Sequence, residues 1–299
     1  MAKQEIISFV DFRERFNNED ACREYLYNLR WPNGFICPKC GGVGCYHIKG
    51  RNKYQCAQCR YQASVTSGTV MHKSKLSLQI WFWAIYLVSR DKRGYSATQL
   101  EAELNLAYSS AWYLLHRIRS AMAGRDSEYM LSGIVEMDDT YFGAPAEGGK
   151  RGRGTEKTIV MVAVSKTERG KPNYLKMKVL DNLKGETVGD FAKANIVKGS
   201  TVQSDAYRSY RKPLADEYEH QYEVFNSNSD MLKWLHTFIG NAKSFVNGTF
   251  HGLGDKHLQR YLDEFSYRFN RRGFRNQIFS RLLCAVANSD ILGYADLTR

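Results

Sequence analysis

Two cysteine pairs constrain this chain more than anything else in it. Cys37-Pro-Lys-Cys40 and Cys56-Ala-Gln-Cys59 are separated by 15 residues. That is the spacing of two hairpin knuckles, each offering two thiolates to one tetrahedral zinc ion. Four unrelated buried thiols are the plainer alternative. A four-thiolate site is closed, so its zinc is structural, with no coordination position left for chemistry. Gly41, Gly42 and Gly44 supply the tight backbone that must follow the first knuckle. Cys45 and His47 lie nearby, but four thiols already complete the set. Cys22 and Cys284 sit in apolar helical surroundings and read as core residues. Cysteines used this way point to a reducing compartment, with metal in place of disulfides.

Around this section the chain changes character, and the predicted architecture is a multidomain α+β protein. An N-terminal helical segment (1–30) holds Phe12, Phe16, Cys22 and Leu26 on one apolar face. The zinc ribbon follows (31–72), then a helix-turn-helix region (73–125), then a ribonuclease-H-like α/β domain with a mixed sheet (126–285), then a tail (286–299). Hydrophobic residues at 43% and charged residues at 25% exclude a mainly disordered chain. The longest apolar run, Leu78 to Val88, is far short of a bilayer span, and the N-terminus lacks a signal-peptide core. An intracellular protein with no membrane partner is expected. Its net charge of +12 suits a polyanionic partner.

In the helical block, Ser96 with Gln99 three residues on predicts a capping box, and Asn105 to Ala107 breaks the first helix. A second helix begins near Ser109 or Ser110 and buries Trp112, Leu115 and Ile118. Its other face carries Tyr113, His116, Arg117 and Arg119. An ordinary helical hairpin would show the same pattern. The zinc ribbon upstream and the basic balance favour a DNA-binding helix-turn-helix, with Arg117 and Arg119 facing DNA.

The segment from Ile134 to Gly143, IVEMDDTYFG, sets three carboxylates in a run that otherwise reads as a buried strand. Alternation puts Glu136 and Asp138 on one face and Asp139 on the other. A buried carboxylate needs a partner, and a metal ion is one. A second strand ends on Asp205 in STVQSDAY. Between them the order is strand, strand, strand, helix, strand, as in a ribonuclease-H-like fold, whose first and fourth strands lie side by side. Each would present an aspartate to a divalent ion pair. A surface salt bridge or a turn cap would account for either aspartate taken alone.

EMDDTYFG, QSDAY and HLQRYLDEFSYRFNRR together resemble motifs of bacterial insertion-sequence transposases that join an N-terminal zinc ribbon to a DDE-type catalytic domain. The resemblance covers nearly the whole chain, in order. It implies that Asp138 and Asp205 are catalytic ligands of Mg²⁺ or Mn²⁺, with Asp139 and Glu136 as supporting acids. The third position departs from the pattern. A family spacing of His followed five residues later by the third ligand matches His236 and Asn241, so an amide stands where most members have Glu. An acid from elsewhere, such as Glu264, is the other source of a third ligand, and a dead site is the remaining alternative.

The resemblance further implies a nucleoid-associated cytoplasmic enzyme. It would bind terminal inverted repeats in double-stranded DNA, cleave and join strands, and assemble as a homo-oligomer when two ends are paired. Two basic stretches fit that partner: Lys150, Arg151 and Arg153 in a glycine-rich loop, and Arg268, Arg271, Arg272 and Arg275, one stripe if the helix survives Gly273. A non-catalytic, domesticated DNA-binding protein and a nuclease without strand transfer are the rival functions.

Overall fold

The computed structural model describes residues 7–143, 155–224, 231–251 and 253–298. It divides into two units, one drawn from Met1–Arg125 and Phe274–Arg299, the other from Asp126–Gly273.

Where one amphipathic stretch was expected, two helices open the first unit. α1 (Phe9–Arg15) begins with a capping box between Ser8 and Asp11. α2 (Glu19–Arg30) begins at Asn18, whose side chain accepts the Ala21 N–H at 2.9 Å. A capping asparagine competes with helix continuation, so the run breaks there. The apolar face survives the break: Phe12, Phe16, Cys22 and Leu26 are all buried.

β1 (Cys45–Ile48), β2 (Lys53–Cys56) and β3 (Gln62–Ala63) form a small antiparallel sheet. α3 (Leu78–Arg90) starts against the Glu19 carboxylate, which accepts the Leu78 and Gln79 N–H groups at 2.7 and 3.0 Å. An anion there satisfies orphan donors at the positive end of the helix dipole. α4 (Ala97–Leu104) and α5 (Tyr108–Ser127) are the expected helix pair. Ser96 caps α4 by accepting the Gln99 N–H at 3.1 Å, and Asn105 turns the chain at φ 49°. The Gln99 side chain reaches Glu103 instead of closing the box.

The second unit is a five-stranded sheet between two helical layers. β4 (Ile134–Phe142), β5 (Thr158–Lys166) and β6 (Pro172–Leu180) form an antiparallel meander. α6 (Gly185–Asn195), β7 (Thr201–Asp205), α7 (Arg208–Ala215), β8 (Glu219–Glu223), α8 (Lys233–Thr249) and α9 (Asp255–Asn270) follow. Strand order is β6-β5-β4-β7-β8, with β7 parallel to β4 and β8 parallel to β7. First and fourth strands are therefore neighbours, as the ribonuclease-H-like order requires.

Alternation along the strands builds two cores. Val135 and Met137 of β4 pack with Val188 and Phe191 of α6 and Leu214 of α7. On the other face Phe142, Val160 and Val162 pack with Phe238 and Ala242 of α8 and Leu262 of α9. Fully buried aliphatics such as Val160 and Val162 contribute about 2 kcal/mol each. Glu136 and Asp138 belong to the α8 face, Asp139 to the α7 face.

After α9, a 3₁₀ segment (Arg272–Gln277), irregular at Phe274, leads into α10 (Ile278–Asn288) and α11 (Ala295–Thr298), which belong to the first unit. Phe279 of α10 stands 5.3 Å from the Phe12 ring and 5.8 Å from Phe16. The second unit ends at Gly273, and residues 274–299 belong to the first unit. The reason is the apolar face of α10, Phe279, Leu282, Leu283 and Val286, which is buried in the core of the N-terminal helices. Among the described residues no helix is long and apolar enough to cross a membrane.

Candidate active site and zinc centre

Cys37, Cys40, Cys56 and Cys59 converge as their spacing requires. All four Sγ atoms lie within 4.8 Å of one another, with Cys37 to Cys59 at 3.6 Å and Cys40 to Cys56 at 3.7 Å. Thiolates on one tetrahedral zinc stand about 3.8 Å apart, so the cradle fits that ion. The Lys39 and Cys59 N–H groups donate to the Cys37 and Cys56 sulfurs at 3.4 and 3.5 Å. Chiefly through the Cys59 N–H, the Cys56 thiol is drawn down to about 7, toward the thiolate that a metal needs. Gly41 and Gly44 take φ of 71° and 85°, the left-handed region that glycine enters without strain.

The acids are brought together by strand pairing. The β4–β7 register sets Ile134 opposite Thr201, Val135 opposite Val202 and Glu136 opposite Gln203. The bonded ladder ends there; continued for two more residues, the same register would bring Asp138 level with Asp205 on one face. Adjacent strands lie roughly 4.8 Å apart, a separation that one ion or an ion pair can bridge. Both carboxylates are half-buried. Asp138 Oδ1 accepts the Asp139 N–H at 2.8 Å, and Asp205 Oδ1 accepts the Tyr207 N–H at 3.0 Å. The Asp139 side chain turns to the opposite face, where the Tyr210 hydroxyl donates to it at 2.5 Å. Burial, then the charges of Asp139, Asp138 and Asp205, push the Tyr210 phenol far above its ordinary range. It stays a neutral donor that shares its surroundings with all three acids.

Glu136 is wholly buried and fastens α8 to the sheet. Its Oε2 accepts the Leu235 N–H at 2.9 Å, and its Oε1 lies 3.1 Å from Lys166 Nζ. Lys166 in turn donates to Gln203 at 2.6 Å. Further along, Lys243 of α8 sits over the Phe142 ring at 5.8 Å. The helix is therefore held to β4 on either side of Asp138, and Asn241 lies between the two attachment points. Asn241 and His236 are both exposed. Carboxylate and amide oxygens are hard donors of the kind Mg²⁺ and Mn²⁺ prefer.

Several expected residues are corrected. Glu264 is 1% exposed and paired with Arg268 at 2.7 Å, on a helix that packs against the edge strand β6. Its carboxylate is engaged by Arg268. Arg117 and Arg119 are buried: each donates to a backbone carbonyl at 3.2 Å, of His72 and Tyr95 respectively. Arg117 also lies over the Tyr113 ring at 4.2 Å. Neither faces solvent, so the basic face expected of α5 does not exist. Arg271 pairs with Asp126 and stacks on Tyr267, and Arg272 donates to the Pro172 and Asn173 carbonyls. The arginine stripe does not form because α9 stops at Asn270. Lys150, Arg151, Arg153 and the Arg275 side chain lie outside the described residues.

Sequence reasoning missed Tyr210, Lys166 and Lys243, while Lys157 closes the basic loop that it had singled out. Burial first, then the Lys157 charge, lowers the Lys243 ammonium from its usual range, which brings two cations together beside the end of β4. An acid-free neighbourhood around Lys243 was the available signal.

Two family models match the chain: an ISXO2-like transposase domain over residues 130–270 and a transposase zinc-ribbon domain over residues 17–62. The chain is 30% identical over 141 residues to an uncharacterised protein in the transposable element ISH50 of Halobacterium salinarum, a stretch spanning 46% of each. It thus covers just under half the length of that relative. It is 26% identical over 104 residues to an uncharacterised transposase-like protein of Haemophilus influenzae, covering 33% of this chain and 84% of the other. Among solved structures, a chain of the pre-cleavage Mos1 transpososome aligns at 12% identity over 70% of this chain and 79% of its own, with a TM-score of 0.27, too loose a likeness to bear on the site.

Proposed function

We propose, for a chain that belongs to the transposases joining an N-terminal zinc ribbon to an ISXO2-like transposase domain, that it binds the terminal inverted repeats of its element and cuts and joins DNA strands at Asp138 and Asp205. The observation that supports this reading is the parallel pairing of β4 with β7, whose register continued by two residues sets Asp138 and Asp205 on one face, with α8, the helix of Asn241, packed against β4. A pair of Mg²⁺ or Mn²⁺ ions, when bound, supplies activation of the attacking oxygen and stabilisation of the leaving one. Asp138 and Asp205 hold the ions with negative charge, and Asn241 adds a neutral amide oxygen. Glu136 keeps α8, and Asn241 with it, in register with β4. Tyr210 holds Asp139 on the opposite face. Lys157 and Lys243, at the end of β4, receive backbone phosphates.

Two displacements at phosphorus follow. Water attacks the phosphodiester at the element's end, and the P–O bond to the departing 3′-oxygen breaks, leaving a 3′-hydroxyl. That hydroxyl then attacks a target phosphodiester, forming the new P–O bond and expelling a second 3′-oxygen. Because attacking and leaving groups are alike, one site serves both steps. Pairing two ends calls for at least two copies of the chain.

Incubation with the element's ends, a target duplex and Mg²⁺ tests this reading. Asp138→Ala and Asp205→Ala should each lose cleavage and joining by roughly 10³-fold or more, and Asn241→Ala by about 10- to 100-fold. Cleavage that persists in both aspartate variants removes the mechanism. Wild-type rates in Asn241→Ala remove only the third position. The neutral charge of Asn241 favours one rival, a protein that binds ends without cutting, and binding with no cleaved product in the wild type would establish it.

A further inference from the structure

With Arg117 and Arg119 buried, the DNA-facing surface of the first unit must lie elsewhere, and the charge distribution locates it. From Tyr25 to Arg90 the chain has nine lysines and arginines and not one aspartate or glutamate. The rest of the chain carries 34 cations against 31 acids, so nine of the twelve net charges belong to the zinc ribbon and its flanks. Lys39, Lys49, Arg51, Lys53 and Arg60 are all exposed.

The ribbon's sheet has two unlike faces. Pairing aligns His47 with Tyr54 and Tyr54 with Ala63, and this face turns inward: Tyr54 and Ala63 are buried, and Tyr54 stands 4.7 Å from Tyr27 of α2. Asp20 and Glu24 of α2 line a cavity with Arg23, Tyr27, His47, Lys49 and Tyr54 on this same inner side, so Lys49 belongs to the inner face. The register places Tyr46, Gln55 and Gln62 in one row across the outer face, with Ile48 and Lys53 as the next pair. Tyr46 is 68% exposed, and the Gln62 amide donates to the Gln55 amide oxygen at 3.2 Å. A tyrosine and two mutually oriented amides, rimmed by the cations of the hairpin tip, present groups for bases in the middle and for phosphates at the edge.

We infer that this outer face docks in the major groove of duplex DNA, with Gln55 and Gln62 reading base edges and Arg51 and Lys53 holding the backbone. The inference rests on the transposase reading above for its source of DNA. The major groove admits a β-ribbon, and glutamine is a bidentate partner for adenine there. The zinc cradle sits at the base of the same strands, since Cys56 ends β2, so the metal fixes the row without touching DNA.

Fluorescence anisotropy with the full zinc-loaded chain tests this, using an inverted-repeat duplex, a scrambled duplex of equal composition and the repeat as a single strand, over a salt series. Zinc content and circular dichroism establish that each variant is folded. Arg51→Gln/Lys53→Gln should weaken both duplexes alike and reduce the salt slope by up to about 2. Gln55→Ala/Gln62→Ala should cut the preference for the repeat by roughly tenfold or more while leaving scrambled binding nearly unchanged. If folded variants bind as the wild type does, or if the wild type prefers the single strand, the ribbon face is not the reader. Wild-type protein that prefers the repeat while both variants are silent sinks this inference alone. Wild-type protein with no preference for the repeat sinks the functional reading with it.

Discussion

The zinc ribbon and the proposed aspartate site are opposites in construction. The four thiols come from one stretch of 23 residues and are oriented by turns whose own N–H groups point at sulfur. Asp138, Asp205 and Asn241 come from two strands and a helix spread over 104 positions, and nothing local holds them together. The first cradle is closed and spends its ion on shape. The second, as proposed, is half-exposed, has one neutral member and depends on a remote fastening, Glu136, for the helix that bears it. Stability is local at one centre and tertiary at the other, so the two should fail differently.

The largest effect should come from stripping the ribbon. Chelation, or Cys40→Ser, removes binding energy of about 10 kcal/mol, the scale of structural zinc sites, and the ribbon should become protease-sensitive between residues 31 and 72. Digestion that stays unchanged after verified zinc loss would erase the contrast. Next in size, Glu136→Ala leaves Lys166 without its buried carboxylate and the Leu235 N–H without its acceptor. It should destabilise the second unit by about 3 kcal/mol in urea unfolding while zinc stays bound. A smaller value would mean that α8 is held mainly by its apolar face. Smallest is the pH response of Asp263, a carboxylate of the same unit with no part in the metal site. Burial is the main cause that raises it from 3.8 to about 6. Between those values the folded chain holds a proton that the unfolded chain has released, so stability should fall by about 2 kcal/mol as pH rises from 4 to 6 and then level off. Asp263→Asn should flatten that segment of the urea midpoint profile.

The same difference sets what could be read from sequence. Cysteine spacing encodes a local site completely, and the strand order with an aspartate at the first and fourth strands was enough to place β4 beside β7. Arginines were misread because a cation's partner is invisible when it is distant or is a carbonyl. Arg271 finds Asp126 from 145 positions away, and Arg119 finds the Tyr95 backbone. No pattern in HRIRSAM distinguishes a guanidinium bound for a groove from one bound for a carbonyl. Glu136 was legible as a buried acid, but its role in starting α8 depends on a contact across 99 residues.

The return of the chain to its first unit after Gly273 has a consequence for biosynthesis. Phe279 fills a place among Phe12, Phe16 and Phe82, so this aromatic cluster, whose other members are made before the sheet, stays open until α10 emerges. At translation rates of about 5–20 residues per second, the intervening segment imposes a wait of roughly 10–30 s. The inserted sheet can complete its core during that interval, so the helices synthesised before the sheet mature after it.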